Sequence, residues 1–406
     1  MQAVTTQDQV GDSSVTASLV ICLGLSQLVA WGCLHYIIGV FGADIGKSLG
    51  WSQVVVHGGF SCALVVMGLT SKAVGAWIDR SGGRATMLTG FWTGALGCVL
   101  LSLANGVAGY FLAWVVLGLA MRMSLYDATF ATLVRVGGSR SQKPIAMITL
   151  FGGLASTAFW PLGHMLATAF GWRGAVLCYG AILLASSLLL LKIPVARSNA
   201  AAGSEGVKNS ASLERVPFET EKTLVFGVSA LLILFMQAGM AAHMIGLLSG
   251  LGWETESVVA VSALFGVGQV SGRLYMALHG HRFPILRMNF LPPALLLVCF
   301  GLYPLGDQSL AVAAAFAFLF GAGNGISTIT RGAVPVVLFG AKGYGARMGA
   351  ILRPAFFASA VAPIALAGVI TRWGTDAAVA INFVASFALL VSAGMLVRLN
   401  TNQMEK

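Results

Sequence analysis

Four arginines and one aspartate fall inside otherwise apolar stretches of this chain: Arg122, Asp127, Arg273, Arg331 and Arg353. A charged side chain inside a bilayer is costly unless it is paired or wetted, so such groups mark substrate or ion paths. A guanidinium can hold a carboxylate through two parallel hydrogen bonds. Arg122, near mid-depth of its segment, is therefore a candidate anion-binding residue, and Arg273 is a second intramembrane cation to be explained. Each also has a plainer reading, an internal ion pair for Arg122 and a side chain snorkelling to the headgroups for Arg273. Arg331 lies deeper toward the basic end of its segment, where snorkelling is the expected role. Asp127 follows Arg122 by five positions, about 140° around an unbroken helix, so the two are not expected to share a face.

Other polar groups could complete such a site. His35 and His243 can change charge near neutral pH and so move protons, although a lone histidine on an apolar face is more often a hydrogen-bonded structural group. Trp31 and Tyr36 could bracket a small solute, and Asn324 adds a polar side chain. Six cysteines, Cys22, Cys33, Cys62, Cys98, Cys178 and Cys299, all lie in apolar segments without a CxxC pair. They read as small buried hydrophobes, with Cys22, Cys33 and Cys62 as the alternative, a soft trithiol site for trivalent arsenic. No nucleophile and base set, phosphate loop or metal-ligand cluster is legible, so no enzyme, cofactor or metal centre is expected.

The elements that must position these residues are membrane helices. The 406 residues are 57% hydrophobic and 9% charged, with a mean hydropathy of +0.85. A soluble domain carries about 25% charged residues. A bilayer core takes about 20 apolar residues as a helix, and the apolar runs here are continuous rather than alternating, which favours helices over strands. Twelve spans are predicted near 17–42, 52–78, 85–104, 107–135, 145–170, 174–193, 223–250, 256–279, 284–303, 309–338, 346–371 and 374–398. The polar segment 194–221 reads as a linker between two halves, 17–193 and 222–399, with tails 1–16 and 400–406. The first 16 residues hold no Lys or Arg and do not read as a secretory signal.

The net charge of +10 follows loop sidedness. With both tails and the linker in the cytoplasm, the inner side holds 17 basic residues, including Arg80, Arg84, Arg140, Lys143, Lys192, Arg197, Arg282 and Lys342, and the outer loops hold Lys47, Arg173 and Arg372. That bias predicts a multi-pass protein of the cytoplasmic membrane with both termini inside. It also accounts for the basic surplus without nucleic acid. A monomer is expected.

The halves echo each other. Gly50-Trp51-Ser52 matches Gly252-Trp253-Glu254 at an offset of 202, and Trp172 matches Trp373 at 201. Asp79-Arg80 is matched more weakly by His281-Arg282, and Arg122 by Asn324. Parallel repeats of this kind build transporters that rock about a central site.

One turn carries a family resemblance. Gly75-Ala76-Trp77-Ile78-Asp79-Arg80-Ser81-Gly82-Gly83-Arg84 resembles the signature loop between spans 2 and 3 of the major facilitator superfamily, with Gly83 inserted so that Arg84 comes one place later. The resemblance implies an all-α, twelve-helix transporter of two pseudo-symmetric six-helix halves, working by alternating access. It also implies a gate or latch built from Gly75, Asp79, Arg80, Gly82 and Arg84. Asp79 would face the positive N-terminal end of span 11, near Tyr344 to Met348. Asp127 would pair with Arg84 or Arg353.

A narrower resemblance, on Tyr36 to Phe41, Gly50-Trp51-Ser52 and Gly268-Gln269-Val270-Ser271-Gly272-Arg273, is to the monocarboxylate and oxalate/formate carrier branch, which implies that Arg273 pairs with substrate. Ala355 stands eight residues before Pro363, where dicarboxylate carriers place a lysine, which argues against dicarboxylate exchange. Trp31-Gly32-Cys33-Leu34-His35-Tyr36 is similar to the first span of bacterial arsenite-efflux carriers. The sequence reading is thus a secondary transporter for a small solute, best a small monocarboxylate-like anion, with protons as a candidate coupling ion. Efflux of a metalloid or a small toxic compound is the alternative.

Overall fold

The computed structural model describes residues 15–194 and 220–404. Most of the N-terminal tail, most of the 194–221 linker with Arg197, and the last two residues lie outside the described residues. Helices dominate, and no strand occurs among the described residues.

Among the described residues, nine helical stretches are long and apolar enough to cross a membrane: Ala17–Leu49, Gln53–Ser81, Gly83–Leu103, Val107–Gly137, Gln142–Lys192, Glu221–Ser249, Ile285–Leu305, Leu310–Phe339 and Tyr344–Thr401. Two of these are pairs. The chain reverses at Gly171 (φ 68°) and Gly374 (φ 84°), which takes each long stretch back beside itself or its neighbours. Thus Gly163 meets the Tyr179 hydroxyl, whereas Phe383 comes against Gly301. With the further helix Thr255–His279, the described chain is consistent with twelve spans in the expected order.

The internal repeat reappears in backbone geometry. Gly50 and Gly252, which precede matched tryptophans, both have positive φ, as do Gly138 and Gly340 at the ends of spans 4 and 10. A side chain at such a φ is strained, so the matched turns require glycine. The tryptophans anchor the turns. Trp172 donates to Ser48 Oγ at 2.8 Å, and Trp253 donates to the Gly306 carbonyl at 2.8 Å.

Two local departures matter. Span 1 is longer than its apolar run predicts, because the helix continues through Asp44 and Lys47 to a left-handed stop at Gly50. The 75–84 segment, expected as a ten-residue turn, is almost wholly helical. Span 2 runs to Ser81, span 3 starts at Gly83, and only Gly82 (φ 81°, ψ 163°) separates them. A Cβ on Gly83 would sit 1.8 Å from Thr132 Oγ1, so the inserted glycine is what lets the start of span 3 lie against span 4.

Small residues set the helix packing. Gly268 and Gly272 of span 8 face the backbone of span 10, whose Gly321 and Gly325 return the contact. Spans 2 and 11 do the same across the two halves. A Cβ on Gly75 would lie 2.0 Å from the Gly345 carbonyl oxygen, and one on Gly349 would lie 2.3 Å from that of Ser71. Glycine pairs of this spacing bring membrane helices into backbone contact. The halves also meet where Phe130 faces Gly332 and where Arg273 faces Gly153. The contacts at Gly75, Gly345 and Gly332 lie toward the end of the molecule that carries Gly82, Gly138, Gly340 and the described chain ends at Val15, Pro194, Thr220 and Met404. We call this the tail side.

Candidate functional site

The centre of the site is built where three spans lose regular helix. Span 1 passes through a π-helical turn at Trp31–His35. Such bulges interrupt the ordinary ladder and often mark functional positions. This one turns Trp31, His35 and Tyr36 into a single aromatic group. The Trp31 ring lies 4.6 Å from His35 and 4.9 Å from Tyr126, and His35 lies 5.1 Å from Phe60. Gly32 sits flat on Phe159, where a Cβ would be 2.1 Å from the ring.

Span 4 is broken. Helix Val107–Ser124 stops, Leu125 is extended (φ −78°, ψ −174°), and Tyr126–Gly137 begins anew. Broken helices are tolerated in a membrane only where other groups satisfy the freed backbone. Here Gln27 of span 1, fully buried, donates Nε2 to the Ser124 carbonyl at 2.7 Å and to Thr129 Oγ1 at 2.7 Å. The break also removes the basis for placing Arg122 and Asp127 on different faces, since the angle between them presumed one continuous helix. Asp127 instead opens the second piece, where its negative charge complements the helix N-terminus.

Span 5 supplies the room. A Cβ on Gly152 would lie 2.2 Å from the Tyr126 hydroxyl, and one on Gly153 would lie 2.3 Å from Arg273 Nη1. Tyr126 donates to the Thr149 carbonyl at 3.1 Å. Arg273 enters from span 8 through this gap. It is 4% exposed, its Cζ lies 6.0 Å from the Tyr126 ring, and Tyr36 is within its electrostatic reach. Its Nε and Nη1 find no hydrogen-bond partner among the described residues. A buried guanidinium with no carboxylate partner among the described residues, beside the Tyr126 ring, is a site that an anion would complete.

A second group of charges lies toward the tail side. Asp79 accepts from the backbone N–H of Gly345 at 2.9 Å and of Ala346 at 2.7 Å, the first turn of span 11. Arg135 donates to the Asp79 and Arg80 carbonyls, so it clamps the end of span 2 from span 4. Asp127 pairs with Arg331 of span 10 at 3.7 Å. Arg122 donates Nε to Ser71 Oγ at 2.9 Å and Nη2 to the Ser71 carbonyl at 3.2 Å.

Several sequence expectations about partners are corrected by this arrangement. Asp127 is held by Arg331, not by Arg84 or Arg353. Arg331 is no snorkelling side chain, since it is nearly buried and crosses to the other half. Arg353 is exposed and lies over the Phe357 ring at 5.9 Å. Arg84 is half-buried and Arg80 is exposed on the tail side. Arg122 stands with Ser71 near the gate charges rather than beside Arg273, because its helix ends two residues later and Ser71 takes its guanidinium.

Asn324 accepts from Gln237 of span 7. His243 meets the Pro363 carbonyl at 2.8 Å, and because a carbonyl can only accept, Nε2 carries the proton. Both residues thus tie helices of one half together. Cys33 is buried beside Cys98, whereas Cys22 and Cys62 are half-buried. No group of three His, Cys, Asp or Glu that would hold a metal occurs among the described residues, and the three-thiol arrangement has no geometric support.

Gln27, Tyr126, Arg135 and Gly152 escaped the sequence reading. Gln27 alone left a usable signal, an amide in the middle of an apolar span.

The profile of the Major Facilitator Superfamily matches residues 19–352, most of the chain. The protein belongs to the major facilitator superfamily. The family is one of multi-pass membrane transporters that carry small solutes, and the described residues hold several helices long and apolar enough to cross a membrane. Among curated proteins, monocarboxylate transporter 13 of Bos taurus is 29% identical over 275 residues, covering 64% of this chain and 62% of the relative. Monocarboxylate transporter 13 of Rattus norvegicus is 28% identical over the same extent. The chain thus spans somewhat less than two thirds of the length of these relatives. Within a superfamily transporter, the two charge groups divide naturally into a central group around Arg273 and an inter-half group on the tail side.

Proposed function

We propose that this transporter moves a small monocarboxylate-like organic anion by alternating access, with Arg273 as the residue that binds its carboxylate. The observation that carries this reading is the buried Arg273 guanidinium, whose Nε and Nη1 have no partner among the described residues. A carboxylate presents two oxygens at the spacing of two guanidinium N–H groups. Trp31, His35, Tyr36 and Tyr126 supply an apolar wall for the rest of a small solute. The similarity to proteins named monocarboxylate transporters supports the same class.

Asp79, Gly75, Arg80, Gly82, Arg84, Arg135, Asp127 and Arg331 form the gate in this reading, which is closed on the tail side. The positive-inside bias puts that side, and both termini, in the cytoplasm of a cytoplasmic-membrane protein. The halves 17–193 and 222–399 rock about the central group. A proton is a candidate coupling ion, with His35, in contact with Trp31 and Tyr36, as its candidate carrier in span 1. Asn324 and His243 hold the second half together rather than the solute.

The test is flux into proteoliposomes under an imposed pH gradient, with lactate, pyruvate, formate, oxalate and trivalent arsenic. Saturable monocarboxylate flux abolished by Arg273→Gln is expected. Arsenic flux with all carboxylates inert, or full carboxylate flux in Arg273→Gln, overturns the assignment.

A further inference from the structure

Two guanidinium groups and one carboxylate meet where spans 2, 4, 10 and 11 pack on the tail side. Asp127 and Arg331 are 12% and 11% exposed and 3.7 Å apart. Arg122 is 2% exposed. It gives Nε and Nη2 to Ser71, while its Nη1 is buried with no partner among the described residues. Asp127, Arg331 and Tyr344 all lie within electrostatic reach of Arg122. Asp127 balances one of the two arginines, so the buried group keeps one positive charge in excess. That surplus is more than a latch requires, since one ion pair would hold the halves together.

Tyr126 joins this group to the centre. Its ring faces Arg273, and it lies within electrostatic reach of Arg331 as well. Tyr126 thus stands between Arg273 and the group of Arg331 and Arg122.

We propose that Arg122 and Arg331 form a second anion station, which receives the transported carboxylate on the tail side of Arg273 when the halves part. Asp127 is the resident anion of that station in the closed state. Arg122 and Asp127 belong to one half and Arg331 to the other, so opening the tail side draws Arg331 away from Asp127. Separating a buried pair leaves each charge uncompensated, and an arriving carboxylate compensates Arg331 while the spare N–H of Arg122 is free to hold it. The station rests on the anion reading of Arg273 and extends it to a second site.

A latch and a station predict opposite changes. If Arg331 only latches, losing it favours the tail-open state, and half-saturation measured from the tail side falls. If Arg331 binds the passing carboxylate, half-saturation from the tail side rises. The experiment measures initial rates of pyruvate and lactate transport from each face, in vesicles of both orientations. It compares the full-length wild type with Arg122→Gln, Arg331→Gln, Arg331→Lys and Arg273→Gln, each checked for folding by thermal melting in detergent.

The expected result is a rise of about tenfold in tail-side half-saturation for Arg122→Gln and Arg331→Gln, the worth of about 1.4 kcal/mol, partly recovered in Arg331→Lys. Should one glutamine variant not fold, the other decides. An unchanged or lowered tail-side value overturns the station, provided the wild type carries the acids and Arg273→Gln does not. Absence of carboxylate flux in the wild type overturns the anion reading itself, and the station with it.

Discussion

The Asp79 carboxylate, at the end of span 2, accepts the N–H groups of Gly345 at 2.9 Å and Ala346 at 2.7 Å, which open span 11. One oxygen goes to each donor, and the donors belong to the opposite half. The positive end of a helix is thereby held by a charge on the other side of the transporter.

Replacing Asp79 by Asn keeps one acceptor and removes the charge. The loss should be about 1–2 kcal/mol of tail-side closure, the range for charged hydrogen bonds and helix-end charges. Spin labels at Lys143 and Arg282, on the tail-side ends of spans 5 and 8, should show a larger long-distance population in Asp79→Asn. An unchanged distance distribution would mean that other contacts suffice to close the gate.

Gly75→Ala should fail differently. Its Cβ would lie 2.0 Å from the Gly345 carbonyl oxygen, and backbone cannot swing aside as a side-chain tip does. The same labels should report a tail side that no longer closes, and transport should fall at least tenfold in folded protein. Wild-type flux would show that spans 2 and 11 need not touch during the cycle.

Gly153→Ala probes the centre. The added methyl would meet Arg273 Nη1 at 2.3 Å, but a guanidinium is the far end of a flexible chain and can retreat. The expected outcome is a rise of about tenfold in the half-saturation of carboxylate transport, the worth of about 1.4 kcal/mol, with little change in protein stability. Arg273→Lys should weaken binding further, because a point charge lacks the planar pair of N–H groups. Equal transport by both variants and the wild type would move the anion elsewhere.

Gln27→Leu should act on stability. It removes the partner of the Ser124 carbonyl at the break in span 4, leaving a buried acceptor unmet at a cost of about 1–3 kcal/mol. A lowered melting temperature in detergent is expected. An unaltered melting curve would mean that the break holds without its amide.

The membrane helices, the repeat and the charge at the Asp79 turn were legible because each rests on local chemistry. Continuous apolar runs must be helices in lipid, Gly50 and Gly252 recur before tryptophan, and a carboxylate after a glycine-bearing helix is visible in the chain itself. Partners were less legible. Arg84 and Arg353 were reasonable mates for Asp127 by depth, yet depth along a helix does not say which side chain lies opposite. The angle between Arg122 and Asp127 misled for a similar reason. Nothing in Met123-Ser124-Leu125-Tyr126 announces a break, since the amide that satisfies it sits far away at Gln27.

The sequence by itself therefore determined that the chain folds as a bundle of membrane helices, and which few charged residues had to be explained. Those outcomes follow from hydrophobicity and from the cost of a buried charge, which are properties of each segment taken alone. The tertiary structure alone decided which of those charges meet. Arg331 reached Asp127, Arg122 settled on Ser71, and Arg273 was left with two unmet N–H groups among aromatic rings. Such pairings depend on helix rotation, on glycines that admit close approach, and on interruptions at Leu125 and Trp31–His35 that distant residues stabilise.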